Sequence, residues 1–303
     1  MVKIKKTSLK EALSSTQARL KKKKKDAAVH ASIQKAKGVA TNAKPLRRST
    51  IPFNSSDKIL LIGEGDFSFA VALSQHPPPP LEYLVPANIT ATAYDTEDEC
   101  YSKYSEAQQY VRVLRESGAQ VLFGVDATKL EKTSALKGKT FDRIVWNFPH
   151  AGKGITDQDR NILSNQVLIL GFLRSAAKFL VSGPVPQSQP SRKRKRSSDD
   201  DDDDDSGQTA ETAGHARGTI LITLRNVSPY TEWDVPKLAK SPPPPRSSID
   251  PPNPRYILLR SFVFNRSDWK GYEHRMTKGE RAHGQGKTGL GGEDRTWEFT
   301  LAE

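Results

Sequence analysis

The chain has 303 residues, 27% of them charged, and a formal net charge of +12. This polar composition predicts a folded core that carries disordered segments. The one cysteine, Cys100, excludes an internal disulfide and a cysteine-rich zinc site. No apolar run approaches the roughly 20 residues that span a bilayer. We therefore expect a reducing cytosolic or nuclear setting, with no membrane partner and no metal.

The positive charge is concentrated at the N-terminus. Residues 1–50 hold fifteen Lys and Arg but only two Asp and Glu, so the remainder has a net charge of about −1. We predict a disordered basic tail over residues 1–50. Its lysines would attract RNA phosphates without sequence preference, or bind import receptors as a nuclear address.

A second low-complexity segment interrupts the predicted domain. Residues 183–217 include five consecutive basic residues, RKRKR, followed by seven aspartates. Such a sequence cannot form a core. We predict a disordered insertion over 183–217 within a single domain that spans residues 51–303, with RKRKR as a second import-like cluster.

Apolar runs alternate with helical patterns along the rest of the chain. The predicted strands are 58–62, 89–94, 119–124, 142–146, 218–224, 256–263 and 296–301. The predicted helices are 67–75, 97–117, 156–181 and a short one near 230–239. Near-continuous apolar strands that alternate with helices are typical of a parallel α/β sheet covered on both faces. No helical pattern separates the last two strands, which are expected to form an antiparallel hairpin.

Glycines and polar residues follow the first four strands where each strand ends. In strand order these tips carry Gly63, Glu64, Gly65 and Asp66, then Asp95, then Asp126, then Asn147, Phe148, Pro149 and His150. Ligands of an open parallel sheet bind outside the carboxyl ends of its strands. The ten residues are therefore our candidate site, and the glycines permit a tight turn with close backbone approach.

The first tip does not suit a dinucleotide. The pattern G-x-G-x-x-G needs a third glycine where Ser68 stands, and Glu64 and Asp66 would repel a pyrophosphate. A cofactor with a positive centre and no phosphate fits better, and S-adenosylmethionine is such a molecule. Asp95 can accept hydrogen bonds from ribose hydroxyls and Asp126 from an adenine amino group. Glu64 and Asp66 can hold the methionine amino group, although Asp66 can instead cap the next helix.

The fourth tip, NFPH, resembles the strand end of many amino- and ring-nitrogen methyltransferases. The side-chain oxygen of Asn147 can accept a hydrogen bond from an N–H of a flipped base. Phe148 can stack on that base and Pro149 fixes the turn. The alternative interpretation is a strand-end turn in which Asn147 caps a helix.

Seven segments together extend this resemblance over residues 58–277. They read LLIGEGDFSFAVAL, ATAYD, GVDATKL, FDRIVWNFPHAGKG, NQVLILGFL, PYTEW and GYEHRMT. They resemble the eukaryotic large-subunit ribosomal RNA uridine-N3 methyltransferase family, a Rossmann-like group best known from fungi. The resemblance implies S-adenosylmethionine as methyl donor, a uridine of large-subunit ribosomal RNA or of a pre-ribosomal particle as acceptor, and a nuclear, nucleolar location.

The resemblance also assigns roles to the candidate residues. The glycine turn of the family falls on Gly63 and Gly65, its acids on Asp95 and Asp126, and its base-side motif on residues 147–150. Family members usually show YPGYEHRRT, whereas this chain has SDWKGYEHRMT. The role of this late segment, with Tyr272, His274 and Arg275, therefore stays open between RNA contact, closure over the site and a structural loop.

The residues favour nitrogen over carbon methylation. Methylation at pyrimidine carbon 5 needs a nucleophile, normally a thiolate, but Cys100 follows the acidic run DTEDE, which would raise its pKa. Uridine N3 must lose a proton, which His150 could accept; loss to water or with help from Asn147 is equally open. The alternative functions are a catalytically inactive ribosome-assembly factor that binds ribosomal RNA and, less compatible with the acidic turn, a dinucleotide oxidoreductase.

Overall fold

One sheet organises the chain in the computed structural model, which describes residues 50–186, 216–244, 252–275 and 292–302. Its strands are β1 (Ile59–Ile62), β2 (Ile89–Thr92), β3 (Gln120–Leu122), β4 (Arg143–Asn147), β5 (Thr219–Arg225), β6 (Tyr256–Val263) and β7 (Asp294–Leu301). The α-helices within these ranges are α1 (Ser68–Gln75), α2 (Glu97–Lys103), α3 (Ala107–Glu116), α4 (Gln158–Ala176) and α5 (Val235–Lys240). All the described residues belong to one unit, Ser49–Glu303.

The strand order is β3-β2-β1-β4-β5-β7-β6. Strands β1 to β5 pair in parallel, and β7 is antiparallel to both β5 and β6. The predicted α/β fold, a mostly parallel seven-stranded sheet with a terminal antiparallel pair, is confirmed. The last strand lies inside the sheet rather than at its edge, because β7 and not β6 pairs with β5.

Alternate residues of β1 are buried on opposite faces of the sheet. Ile59 and Leu61 belong to one hydrophobic cluster with residues of α1 and α3. Leu60 and Ile62 belong to a second cluster with residues of α4 and α5. Burying each such side chain contributes about 1.5–3 kcal/mol. The two-sided core explains why β1 reads as an unbroken apolar run.

The structure corrects the predicted helix 97–117, which is two helices. The first begins at Thr96, whose side chain accepts a hydrogen bond from the Glu99 N–H in a capping box. It ends at Tyr104, which has an extended backbone and a side chain only 3% exposed. Burial of this tyrosine beside the glycine turn breaks a pattern that looked continuous in the sequence.

Two other helix predictions also change at their ends. The predicted helix 156–181 ends at Ala176 and continues as the 3-10 turn Ala177–Phe179. The short helix predicted near 230–239 is the 3-10 turn Tyr230–Trp233 followed by α5, because Asp234 between them has a left-handed backbone with φ +46°.

The predicted basic tail lies outside the described residues except for Thr50. Residues 187–215 of the predicted insertion also lie outside them, and both assignments remain predictions. Within the described ranges, none of the helices has the length and apolar character that crossing a membrane requires. The same ranges bring together no cluster of His, Cys, Asp or Glu suited to a metal ion.

Candidate active site

A cavity of about 110 Å³ lies at the carboxyl ends of β1, β2 and β4. Strand β1 has β2 on one side and β4 on the other. The chain order of the strands reverses there, which is where open α/β sheets bind ligands. Seven of the ten candidate residues line this cavity: Gly63, Glu64, Gly65, Asp66, Asp95, Asn147 and Phe148.

The shape of the β1 turn requires a glycine at position 63 and leaves little space for a side chain at position 65. Gly63 has φ +63°, and a Cβ there would lie 2.9 Å from Nε1 of Trp146 on β4. A Cβ on Gly65 would lie 3.3 Å from the Tyr104 hydroxyl. Phe67 also has a left-handed backbone, φ +67°, which costs a non-glycine residue about 1–2 kcal/mol. Its fully buried ring, 5.4 Å from that of Phe123, offsets this strain.

Both oxygens of the Asp66 carboxylate have protein partners. Oδ1 accepts a hydrogen bond from the Ser68 N–H at 3.0 Å, and Oδ2 accepts one from Nε of Arg275 at 3.0 Å. The N-cap of α1 is Phe67, so Asp66 is not the N-cap residue that one sequence interpretation proposed, although its carboxylate accepts the first N–H of the helix. It also fixes Arg275 over the glycine turn, across 209 residues of sequence.

Glu64, between the two glycines, has a different environment. Its backbone N–H donates to the Thr92 carbonyl at 2.8 Å, and its Oε2 accepts a hydrogen bond from the Ala70 N–H at 3.2 Å. Loss of hydration raises the pKa of the Glu64 carboxyl to about 8; the Ala70 hydrogen bond opposes this rise and the charge of Asp66 adds to it. At neutral pH this side chain is therefore mostly protonated.

Asp95 and Cys100 lie at the β2 side of the site. One oxygen of Asp95 pairs with Nζ of Lys103 at 2.6 Å, and the residue lines the cavity. Cys100 is buried, and its thiol donates to the Gly65 carbonyl at 3.3 Å. Burial raises the pKa of the Cys100 thiol to about 12, and Asp95 and Asp66 contribute. Cys100 is thus a poor nucleophile, as expected, but burial is the main cause rather than the acidic run.

Asn147 ends β4 with its side chain unsatisfied. Both amide atoms, Nδ2 and Oδ1, are buried and have no hydrogen-bond partner among the described residues. A buried polar group without a partner costs about 1–3 kcal/mol. The next residue, Phe148, has a left-handed backbone with φ +54° and an N–H that donates to the Thr223 carbonyl at 2.8 Å. Strain and unpaired polar groups at one strand end are typical of a functional site.

The segment Tyr272–Arg275, in the connection after β6, completes the cavity. The Ser68 hydroxyl donates to the Glu273 carbonyl at 3.0 Å and accepts from the Glu273 N–H at 3.1 Å. The His274 ring lies 4.2 Å from that of Phe148, centroid to centroid. Burial, with the positive charges of Arg266 and Arg225, lowers the pKa of His274 to about 4. Of the three roles left open for this segment, its position corresponds to closure over the site.

The other three candidates lie outside the cavity lining. Asp126 accepts hydrogen bonds from the N–H and hydroxyl of Thr128, at 2.8 and 2.7 Å, and caps a 3-10 turn. His150 Nδ1 accepts a hydrogen bond from the Gly152 N–H at 2.9 Å. Pro149 separates Phe148 from His150 in the β4 turn. The roles of these three residues stay predictions.

Two tyrosines of the site were absent from the candidates. Tyr94 is 73% exposed and lines the cavity beside Asp95. Tyr104 lies under Gly65 at the break between α2 and α3. The position of Tyr94 at a strand tip was a usable signal, whereas no local sequence pattern indicated that Tyr104 ends a helix.

The donor groups around the cavity fit S-adenosylmethionine. The described lining carries four carboxyl groups, on Glu64, Asp66, Asp95 and Glu273, and one guanidinium, on Arg275. Such a set favours a cofactor with sulfonium and ammonium charges and ribose hydroxyls, and disfavours a pyrophosphate. A sheet of this order, with a ligand cavity at its switch point, is a Rossmann-like α/β fold.

The particular family follows from comparison with known proteins. The family described as rRNA (uridine-N3-)-methyltransferase BTM5-like matches residues 60–276. The chain belongs to this family, and the predicted family is confirmed.

Three relatives illustrate its range. The 25S rRNA (uridine(2634)-N(3))-methyltransferase of Saccharomyces cerevisiae is 27% identical, over 76% of this chain and 69% of that protein. Heavy metal-associated isoprenylated plant protein 41 of Arabidopsis thaliana is 27% identical, over 76% of this chain and only 35% of the plant protein. An uncharacterised Arabidopsis protein is 30% identical, over 76% of this chain and 86% of its own length. The chain thus spans about a third of one curated relative and most of the others.

Proposed function

We propose that this chain transfers a methyl group from S-adenosylmethionine to N3 of a uridine in large-subunit ribosomal RNA. Membership of the uridine-N3 methyltransferase family supports this activity over the inactive assembly factor. The observation that carries the proposal is the unsatisfied amide of Asn147 in a cavity that also holds the acidic glycine turn.

The Asn147 amide matches the edge of a uracil ring. Its Nδ2 carries N–H donors and its Oδ1 is an acceptor, and neither atom has a protein partner in the described ranges. Uracil presents carbonyl oxygens on either side of its N3–H, so the amide can satisfy both of its groups on a flipped base. Reading a base by its edge outside the helix is how enzymes act on single nucleotides. Phe148 contacts His274 in this structure, so stacking on a base would require the histidine ring to move.

The proposed cofactor residues are Gly63, Glu64, Gly65, Asp66 and Asp95. When bound, S-adenosylmethionine would supply an electrophilic methyl group on a positively charged sulfur. The glycines allow close approach of the backbone, and Asp95 can accept hydrogen bonds from the ribose. The carboxyl groups of the turn favour the positive charge.

The basic clusters support an RNA partner and a nuclear location. Lysines of the predicted tail and the RKRKR cluster can neutralise phosphates or engage import receptors. We propose a pre-ribosomal particle as substrate and the nucleolus as location, since the yeast relative is named for 25S rRNA.

Calorimetry and RNA methylation test the proposal together. We expect wild type to bind S-adenosylmethionine with a micromolar dissociation constant, about −8 kcal/mol. Asp95→Ala should raise this dissociation constant at least tenfold. Asp126→Ala tests the remaining predicted cofactor residue in the same titration. Digestion of large-subunit ribosomal RNA after incubation with enzyme and cofactor should release 3-methyluridine, detected by mass spectrometry.

Asn147, the residue proposed to bind the target base, is tested by a separate variant. Asn147→Ala should retain cofactor affinity within about threefold and lose most methyl transfer, since one donor and one acceptor for the base disappear. RNA binding by a well-folded protein that neither binds the cofactor nor forms 3-methyluridine would instead indicate the assembly factor.

A further inference from the structure

Methylation of uridine N3 requires a base at the reacting nitrogen. The N3–H proton must move to an acceptor so that the N3 electron pair can form a bond to the methyl carbon. As that bond forms, the carbon–sulfur bond breaks and its electron pair stays on sulfur, which becomes an uncharged thioether. The proton remains on the acceptor and is later released to water.

Most of the carboxylates in the described lining form ion pairs, although Arg275 is shared by Asp66, Glu273 and Glu106. Asp66 pairs with Arg275, Asp95 with Lys103 at 2.6 Å, and Glu273 with Arg275 at 2.8 Å. Glu64 has no such ion pair within the described ranges. A carboxylate held by a cation is a weaker base than one without that partner, so Glu64 stands apart from the others.

The geometry of Glu64 leaves one oxygen for a ligand. Oε2 accepts the Ala70 N–H, whereas Oε1 has no hydrogen-bond donor in the described part of the chain and is not buried. Glu64 lines the same cavity as Asn147 and Phe148, the two residues assigned to the base. The backbone of Glu64 is fixed by the Thr92 carbonyl, so the carboxyl is positioned rather than mobile.

The two histidines near the site are weaker candidates. Nδ1 of His150 already accepts the Gly152 N–H, and the residue lies outside the cavity lining. His274 lines the cavity, but its pKa is lowered to about 4 by burial and by neighbouring arginines. A base is most effective when its pKa lies near the operating pH, which Glu64 satisfies with a pKa of about 8.

We propose that Glu64 is the catalytic base that accepts the N3 proton of the target uridine, an inference that rests on the proposed function. In the reacting complex the N3 proton passes to Glu64 and no longer to Oδ1 of Asn147. Nδ2 of Asn147 donates to a uracil carbonyl oxygen, where the negative charge develops as the proton leaves. In this proposal Glu64 contacts both the cofactor and the target uridine.

Other groups that share the cavity also influence Glu64. The titratable or charged residues are Asp66 on its own turn, Tyr94 and Asp95 after β2, Tyr104 between α2 and α3, and the segment Tyr272–Arg275. Asp66 raises the pKa of Glu64. A bound cofactor with a positive sulfur would lower it again, so ionisation of the base is coupled to loading of the cofactor.

The test compares Glu64→Gln with wild type and with the matched surface control Glu116→Gln. Glu116 is exposed, and among the described residues its ion-pair partner is Arg112 on the same helix. Gln keeps an oxygen for the Ala70 N–H but cannot accept a proton. Because Glu64 is also a proposed cofactor residue, we expect Glu64→Gln to bind S-adenosylmethionine up to about tenfold more weakly. At saturating cofactor it should transfer methyl groups about 10²–10⁴-fold more slowly in single turnovers.

The pH profile gives a second readout. The value of kcat/KM for S-adenosylmethionine, which reports the free enzyme, should rise with pH up to about 8. The value of kcat, which reports the loaded enzyme, should rise over a lower pH range. Glu64→Gln should lose this rise and gain rate only where the uridine itself ionises. Glu64→Asp, which retains a carboxyl group at a shorter reach, should be intermediate and serves if Glu64→Gln folds poorly.

Three results would overturn the proposal. Methyl transfer by Glu64→Gln within threefold of wild type places the base elsewhere. An equal loss of cofactor affinity and rate makes Glu64 a cofactor ligand only. If the wild-type protein forms no 3-methyluridine, the proposed function is wrong, and the role of Glu64 as its base is wrong as well.

Discussion

The partly buried Glu64 carboxyl makes a quantitative prediction for the dependence of stability on pH. Its folded-state pKa of about 8 lies above the ordinary value of 4.5. Between these values the folded protein retains a proton that the unfolded chain has lost. Stability therefore falls as the pH rises through this window, which is the opposite of the usual behaviour of a carboxylate in an ion pair.

The size of the effect follows from about 1.4 kcal/mol per pKa unit. Relative to a carboxyl with an unperturbed pKa, the raised pKa of Glu64 lowers the free energy of unfolding by roughly 2 kcal/mol at pH 6 and by roughly 4–5 kcal/mol at pH 9. Glu64→Gln removes the titration. The stability of Glu64→Gln relative to wild type should therefore increase by about 2–3 kcal/mol between pH 6 and pH 9.

Urea denaturation of both proteins at pH 6, 7.5 and 9 measures this difference, without cofactor or RNA. The exposed Glu116→Gln should show no such pH-dependent difference from wild type. A change below about 0.5 kcal/mol for Glu64→Gln would mean that the carboxyl ionises normally in the folded state. The argument that selects Glu64 as a base near neutral pH would then fail.

Two further predictions concern the glycine turn and the segment that closes it. Gly63→Ala should destabilise the fold by about 2–4 kcal/mol, from a left-handed backbone and contact with Trp146. Gly124→Ala, at φ +66° with no atom near its Cβ, should cost only about 1–2 kcal/mol, and equal losses in urea would contradict the packing argument. Arg275→Ala should cost about 2–3 kcal/mol, because Asp66 is left buried without its cation. Adding Asp66→Asn should recover part of that loss in a double-mutant cycle; purely additive losses would show that the pair is not coupled.

The sequence predicted the parts of the site that depend on a single strand and the turn after it. The apolar run of β1 and the glycines after it specify a buried strand and a tight turn, because both properties depend on adjacent residues. For the same reason Asp95 and Asn147 could be assigned to strand ends before any contact was known. The charge of the acidic turn and the missing third glycine argued against a phosphate-containing cofactor.

The tertiary structure decided which strand ends meet. Strands β1, β2 and β4 are neighbours at the switch point, so Asp95 and Asn147 line one cavity, whereas Asp126 follows the edge strand β3 and lies outside it. The connection after β6 returns to the turn through Arg275 and Asp66, 209 residues apart. The ionisation of Glu64 likewise depends on its burial and on the ion pairs that neighbouring carboxylates form. These are properties of packing between distant segments, so local sequence cannot specify them.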